Sequence, residues 1–449
     1  MKYDPRRTAL EVLLGCQKKH TTLDQSLAHA EKALAALSQK DRNLTHALVF
    51  GTLRNRARLD HIIQTFSKIP LEKMDAKVIH ILRLGLFQLF FMDRIPDFAA
   101  INTSVELTKK RAGKRAAGFV NAVLRSALRG GMPPLPSMEK NPASHMALAH
   151  SMPSWLVERW LTAYGPKKTQ TLCRHINEIP PVTLRVNTLK TYVTDLMEKL
   201  SRAGHGPTPA RHAPHALHLH NPGAIDQLPG YREGEFQIQD EAAQLTGLLL
   251  DPQPGETILD ACAGLGGKTC HLAQLMDNQG QITAMDLDSK KLANLREEAQ
   301  RLGITMVSTR TYDLKGATIK DFPHFFDRVL LDAPCSGLGV MRRNPDTKGR
   351  RRLGDVQRLA GQQKKLLNAA ANLVRPGGLL VFAVCSCEPE ENLEAIQAFL
   401  KKRKDFVLDT EFSLPPFQEL PMDGHLLRTY PEAAHMDGFF AARLKRLSK

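Results

Sequence analysis

The sequence is poor in cysteine and has no apolar run long enough to cross a membrane. Seven cysteines are scattered over 449 residues, an odd number with no disulfide-framework spacing. That argues against a cross-linked secreted chain and for a reducing compartment, so a cytoplasmic protein is expected. The nearest membrane-like stretch, residues 78–91, is broken by His80, Arg83 and Gln88. No membrane partner is expected. No export signal is expected either. Leu13-Leu14-Gly15-Cys16 superficially resembles a lipoprotein cleavage site, but Asp4 and Glu11 interrupt a segment that has no adequate apolar core. Metal-ligand spacing is also absent. His205, His212, His215, His218 and His220 fit no recognised pattern, and the prolines among them suggest loop, so no metal is expected. Acidic residues are in deficit, 46 against 62 Lys and Arg, giving a formal charge of +16. A polyanionic partner is the natural inference.

Residues 1–130 carry apolar residues at helical spacing, punctuated at Gly51, Pro70 and Pro96. Residues 99–130 predict a basic helical pair, whose Lys109–Arg115 cluster is either a solvated face or an RNA contact. Residues 131–142, GMPPLPSMEKNP, predict a linker. Residues 143–235 predict a small α+β region: helix at SWLVERWLTAYG, strand at VTLRVNTLK, helix at VTDLMEKLSRAG. From 236 onward strands alternate with helices of 9 to 19 residues, which predicts a parallel doubly wound sheet with a late antiparallel strand at DGFFAARLKR.

One stretch organises that last region: LDACAGLGGKT, residues 259–269. It predicts a strand end, a glycine-rich turn and a helix start. Gly264, Gly266 and Gly267 allow close approach of a ligand, and Lys268 and Thr269 open a helix whose free N–H groups favour an anionic or carboxylate-bearing group. Asp286 follows at the tip of the next strand, where such folds bind a ribose. A dinucleotide site wants a third glycine where Thr269 stands; S-adenosylmethionine has no pyrophosphate to seat; an ordinary turn needs no ligand at all. Asp260, Asp313, Asp332 and Cys385 mark further strand ends.

The segment LLDAPCSG holds Cys335 where methyltransferases acting on exocyclic amines carry an aromatic ring. An amine needs no activation. Carbon 5 of a pyrimidine becomes nucleophilic only after a thiolate adds to carbon 6, so that chemistry needs cysteine beside the base. Cys335 and Cys385 supply two such thiols, unless both are small core residues.

These motifs resemble two known families. DRNLTHALVFGTLR, LDHIIQ, LRLGLFQL and GFVNAVLR are similar to the helical RNA-binding domain of the antitermination factor NusB. DACAGLGGKT, LLDAPCSGLGVMRRNPD, VCSCEPEEN, RVNTLK, FQIQDEAAQL and DGFF resemble the Sun (Fmu) family of RNA cytosine-C5 methyltransferases. The family's CAAPGGKT is CAGLGGKT here, and its T-C-S is Val384-Cys385-Ser386, with an extra Cys387. The resemblance implies a multidomain chain: a NusB-like all-α domain at 1–130, the linker, a small α+β RNA-binding subdomain at 143–235, and a Rossmann-like α/β methyltransferase domain at 236–449. It implies S-adenosylmethionine as cofactor, held by Cys262, Ala263, Gly264, Leu265, Gly266, Gly267, Lys268, Asp286, Asp313 and Asp332. It implies Cys385 as nucleophile, Cys335 as the group completing the reaction, and Asp332 at nitrogen 3 of the base. It also implies a cytosine of 16S ribosomal RNA as substrate and a monomer as the working form. The alternatives are an RNA amine or ribose methyltransferase with structural cysteines, and an RNA-binding assembly factor with a vestigial cofactor fold.

Overall fold

The computed structural model describes residues 4–18, 21–412, 422–431 and 436–448. The chain divides into two compact units, one of residues 1–178 with 341–350, the other of residues 179–340 with 351–449.

The first unit is helical. Its first helix, Pro5–Gly15, is capped by Asp4, whose carboxylate accepts from the Arg6 and Arg7 amides at 2.9 and 3.0 Å. The helices Gln39–Arg54, Arg56–Phe66, Ala76–Phe91, Asp97–Ala112 and Lys114–Gly130 bury a shared core of residues such as Leu10, Leu48, Ile62, Ile81 and Leu124. The polar residues that interrupt Ala76–Phe91 are accommodated inside it. Arg83 forks onto Asp60 at 2.6 and 2.8 Å, and burial pushes the His80 imidazole down to about 3, so it stays neutral. Among the described residues no helix is long and apolar enough to cross a membrane. Residues 341–350 belong to this unit: Arg54 Nη2 donates to the Arg342 carbonyl at 2.9 Å, and the buried Lys348 ammonium to Asn177 Oδ1 at 2.7 Å.

The second unit begins with a small antiparallel sheet of β1 (Val182–Val186), β2 (Thr208–Pro209), β3 (Ala216–Leu219) and β4 (Phe236–Ile238), in the order β2-β3-β1-β4. The helix Val193–Arg202 presents Leu196 and Leu200 to Leu184, Leu217 and Phe236 of that sheet. The histidine-rich stretch expected as loop therefore contributes a strand, β3, in which Ala216, Leu217 and Leu219 are buried and the His218 ring bonds Thr183 Oγ1 at 3.1 Å.

The larger sheet holds β5 (Thr257–Asp260), β6 (Gln281–Asp286), β7 (Val307–Thr311), β8 (Phe326–Asp332), β9 (Val374–Val384), β10 (Phe406–Leu408), β11 (Met422–Asp423), β12 (Leu426–Arg428) and β13 (Phe440–Arg446). The order is β11-β12-β13-β9-β8-β5-β6-β7, with β10 also on β13. β5 to β9 are parallel wherever they pair, and β13 is the antiparallel strand expected at the end, set against β9. The helices Gly267–Leu275, Ser289–Leu302 and Leu353–Ala371 make the crossovers, so Ile258, Leu259, Leu330, Leu331 and Val381 are buried. From β5 the chain proceeds outward to β6 and β7, then returns to β8 on the other flank of β5. Such a reversal opens a crevice at the carboxyl ends of the strands.

Candidate active site

The crevice begins at the glycine turn. Gly264 and Gly266 have φ of 57° and 85°, the left-handed region where a Cβ is strained. A Cβ on Gly266 would also fall 2.4 Å from Leu295 Cγ, whereas nothing lies within 4 Å of the corresponding point on Gly264. The turn is thus packed on one side and open on the other. Cys262 and Ala263 are half-buried, and Leu265 is 59% exposed. Asp286, at the end of β6, accepts the Gly264 amide on Oδ2 at 3.0 Å and the Asp288 amide on Oδ1 at 2.9 Å, which fixes its carboxylate against the turn. Asp313 stands beyond β7, exposed, and its carboxylate accepts the Lys315 amide at 3.0 Å.

A brace beneath the turn was not foreseen from sequence. Arg185 of β1 is fully buried and donates to the Gly267 carbonyl at 2.7 Å, to Gln237 at 2.7 Å, to Gln274 at 3.2 Å and to Gln239. Burial lowers its guanidinium to about 10, so it remains a cation at neutral pH. The available signal was an arginine inside the apolar alternation of VTLRV.

Two acidic groups lie under the helix Gly267–Leu275. Asp260 is buried and accepts from Thr269 Oγ1 at 2.6 Å, while its Oδ1 has no partner. Lys268 donates to Asp332 Oδ2 at 2.6 Å, with its ammonium 5.3 Å from the Phe439 ring centre. Burial alone would lower the Lys268 ammonium, but the Asp332 charge and hydrogen bond outweigh it and the net shift is upward.

Beyond Asp332 the neighbouring ends of β8 and β9 bring the two cysteines together, Cys335 Sγ and Cys385 Sγ being 3.2 Å apart. The hydrogen bond to Cys385, with burial next, holds the Cys335 thiol well above the ordinary cysteine range. The Cys385 carbonyl accepts the Gly339 amide at 3.0 Å, and the Gly339 carbonyl accepts the Gly438 amide at 2.9 Å. A Cβ on Gly339 would lie 1.9 Å from the Gly438 carbonyl, so SGLG and DGFF pack backbone to backbone. Val384 is wholly buried in the sheet, and a Cβ on Gly438 would meet Cys387 Sγ at 2.7 Å. Glu391, also unforeseen, bonds both Ser336 and Ser386 from a fully buried position. Turn, carboxylates and thiols together form one line along the strand ends, with the Lys268–Asp332 pair between turn and thiols.

Known proteins are similar to this chain in each of its regions. The family model described as 16S rRNA methyltransferase RsmB/F matches residues 247–445, the NusB family model residues 4–129, and an RsmF/B-like ferredoxin-like domain residues 152–226. "Probable ribosomal RNA small subunit methyltransferase B" of Bacillus subtilis is 38% identical over 99% of both chains. Ribosomal RNA small subunit methyltransferase B of Pseudomonas syringae pv. tomato is 35% identical, covering 99% of this chain and 97% of its own. The crystal structure of PH0851 superposes with a TM-score of 0.84 at 27% identity over 98% of each chain. A methyltransferase homologue from Pyrococcus horikoshii, 31% identical, covers 68% of this chain and 99% of its own at a TM-score of 0.59. With matches to all three regions and near-complete coverage at this identity, the chain belongs to the ribosomal RNA small subunit methyltransferase B family of rRNA methyltransferases.

Proposed function

We propose that this protein methylates carbon 5 of a cytosine in 16S ribosomal RNA through a covalent cysteine adduct, with S-adenosylmethionine as methyl donor. The observation that carries the reading is the pair of thiols 3.2 Å apart, at adjacent strand ends beside the Lys268–Asp332 pair. The cofactor supplies an electrophilic methyl group. The residues present fit it: the turn is open at Gly264, the Asp286 carboxylate is fixed beside it, and Asp260 carries an unpartnered oxygen beneath. Cys262, Ala263, Gly264, Leu265, Gly266, Gly267 and Lys268 would hold its methionine end, Asp286 its ribose and Asp313 its adenine.

A cytosine splayed from single-stranded or loop RNA enters the crevice. Cys385 adds as thiolate to carbon 6, and Asp332 holds nitrogen 3 through a proton. Lys268 keeps Asp332 oriented for that contact. The resulting enamine carries its electron pair to carbon 5, which takes the methyl group. In the resting pair Cys335 keeps its proton. Once Cys385 is bonded to carbon 6, its hydrogen bond to Cys335 is gone. That removes the first cause of the raised Cys335 thiol, which can then release its own proton to solvent and, as thiolate, accept the carbon-5 proton as the carbon–sulfur bond breaks and its electron pair returns to Cys385. Mapping 5-methylcytosine in 16S rRNA from a deletion strain, with and without the restored gene, tests the assignment. A methylated amine or ribose at the affected nucleotide would replace it with the other chemistry.

Asp286→Ala should weaken S-adenosylmethionine binding by about 1.5–3 kcal/mol, the value of one charge-assisted hydrogen bond. Titration calorimetry on the folded variant reads it directly; unchanged affinity would remove Asp286 from the cofactor site.

The helices Asp97–Ala112 and Lys114–Gly130 meet at Gly113 and leave Lys110, Lys114 and Arg115 exposed. Lys109 and Arg111 are engaged by Glu106 and Glu11. The triple variant Lys110→Glu/Lys114→Glu/Arg115→Glu should bind rRNA more weakly. Its affinity should also depend less on salt, the log–log slope falling by about 0.7–0.9 for each phosphate that is no longer neutralised. An unaltered slope would show that this cluster is a solvated face.

A further inference from the structure

Both reactive cysteines are followed by serine, Cys335-Ser336 and Cys385-Ser386, and one carboxylate holds both serines. Glu391 Oε1 accepts the Ser336 amide at 2.8 Å and Gln363 Nε2 at 3.2 Å; Oε2 accepts the Ser386 hydroxyl at 2.6 Å and the Ser336 hydroxyl. Gln363 Nε2 also donates to the Pro334 carbonyl at 3.0 Å, and Arg351 Nε to the Ser336 carbonyl at 2.7 Å. The residue after each cysteine therefore hangs on a single buried group, and Pro334 is tied to it through Gln363. All four bonds to that carboxylate come from neutral donors. Burying a carboxylate without a bonded cation is costly, and an apolar side chain would fill the space at lower cost. The cost is explicable if what the carboxylate fixes is needed for the chemistry.

What it fixes is the spacing of two sulfurs carried on segments fifty residues apart in sequence. We propose that Glu391 is a positioning residue for the covalent step: it clamps the Cys335 and Cys385 segments so that one thiol meets carbon 6 while the other faces carbon 5. The proposal rests on the covalent reading above. Cys385 must leave Cys335 to reach the base, and with the Ser336 amide and the Ser386 hydroxyl clamped, side-chain torsions of the cysteines suffice for that change. Glu391→Gln replaces one acceptor oxygen with an NH2 group. Set toward the Ser336 amide and Gln363, that group opposes their N–H donors; set toward the two serine hydroxyls, it reverses both bonds; in either setting the charge-assisted grip is lost and the clamp slackens. Ser386→Ala removes a single bond and leaves the carboxylate in place.

The test uses the full chain and two readouts. In the Cys335→Ala background, Glu391→Gln should slow formation of the RNA adduct roughly 10- to 100-fold, the effect of misplacement by about 1 Å. Affinities for S-adenosylmethionine and for RNA should be unchanged, and Ser386→Ala should act in the same direction with a smaller effect. With both cysteines present, diamide should cross-link them; two thiols lose two electrons and two protons to the diazene, which becomes the hydrazine. That cross-link should form about tenfold more slowly in Glu391→Gln, since the step depends on sulfur placement. Wild-type rates of adduct formation and cross-linking in folded Glu391→Gln overturn the proposal. If that variant does not fold, wild-type rates in Ser386→Ala overturn it equally. Absence of adduct in the Cys335→Ala parent, with cross-linking still dependent on Glu391, refutes the covalent reading and reduces the clamp to a structural one.

Discussion

Cys385→Ala should be inactive and form no RNA adduct, whereas Cys335→Ala should accumulate a protein–RNA adduct that survives denaturing electrophoresis. In the proposed mechanism carbon 5 is not activated without the Cys385 sulfur, so turnover should fall on the order of 10⁴-fold or more, as for other lost nucleophiles. Cys335 is proposed to act after addition, so its loss should leave bond formation intact and slow bond breaking. The contact at 3.2 Å makes the two roles separable only by this pattern, because either sulfur could reach a base bound between the strand ends. The raised Cys335 thiol, which disfavours it as the attacking thiolate, supports the assignment. Adduct in Cys385→Ala and none in Cys335→Ala would exchange the roles. Activity retained in both variants without any adduct would remove covalent catalysis.

The parts of this site that were legible in sequence lie in contiguous motifs. The turn from Asp260 to Lys268 announces itself because glycine is required at positive φ, and strand–turn–helix periodicity tells which end of the strand it occupies. Asp286, Asp332, Cys335 and Cys385 follow from that periodicity, since each ends a predicted parallel strand or lies just beyond it. Arg185 and Glu391 were not legible as parts of the site because their partners are remote. Arg185 meets the Gly267 carbonyl across 82 positions and Glu391 meets Ser336 across 55, separations that no local pattern encodes.

Short or interrupted elements were illegible for other reasons. β3 is four residues long, and its apolar alternation is masked by flanking histidines and prolines. The helix expected over SWLVERWLTAYG does break at Gly165, where φ is 73°, but helix resumes at once to Asn177. Proline at the start of a helix costs nothing, since its missing N–H would have no partner there, so Pro166 restarts the helix rather than ending it. The signature LLDAPCSGLGVMRRNPD reads as one block, yet residues 341–350 group with the helical unit. Lys348 explains how: its ammonium is solvated by Asn177 and by the His150 and Arg54 carbonyls, and burial still lowers it to about 7. A lysine shortly after a proline in a basic stretch gives no hint of such burial.

Relative to Asp260→Asn, the protein should lose stability as pH rises from 4 to 7, on top of the opposite trend that the buried neutral His80 contributes below pH 6.5. Asp260 is 1% exposed. Burial first, opposed by the Thr269 hydrogen bond and reinforced by Asp332 and Asp286, pushes its carboxyl up to about 7 from 3.8. Below pH 3.8 the folded and unfolded chains both hold the proton, and the group contributes nothing. Between the two values the unfolded chain releases the proton while the folded chain retains it, so stability is lost progressively as pH rises; above 7 the loss is complete. At 1.36 kcal/mol per pH unit the window is worth at most about 4 kcal/mol. Asparagine can keep the Thr269 bond through its carbonyl, and its amide then occupies the place of the unpartnered Oδ1. That unsatisfied donor costs about 1–3 kcal/mol at every pH, which shifts the whole curve without tilting it. The informative quantity is therefore the difference between wild type and variant in urea unfolding at pH 5, 6, 7 and 8. It should move in favour of the variant from pH 5 to 7 and then level off. Other titrating groups, His80 below pH 6.5 and Lys348 above 7 among them, cancel in that difference. A difference that stays constant over this range would mean that Asp260 is ionised beneath the turn, with Lys268 then shared between two carboxylates rather than committed to Asp332.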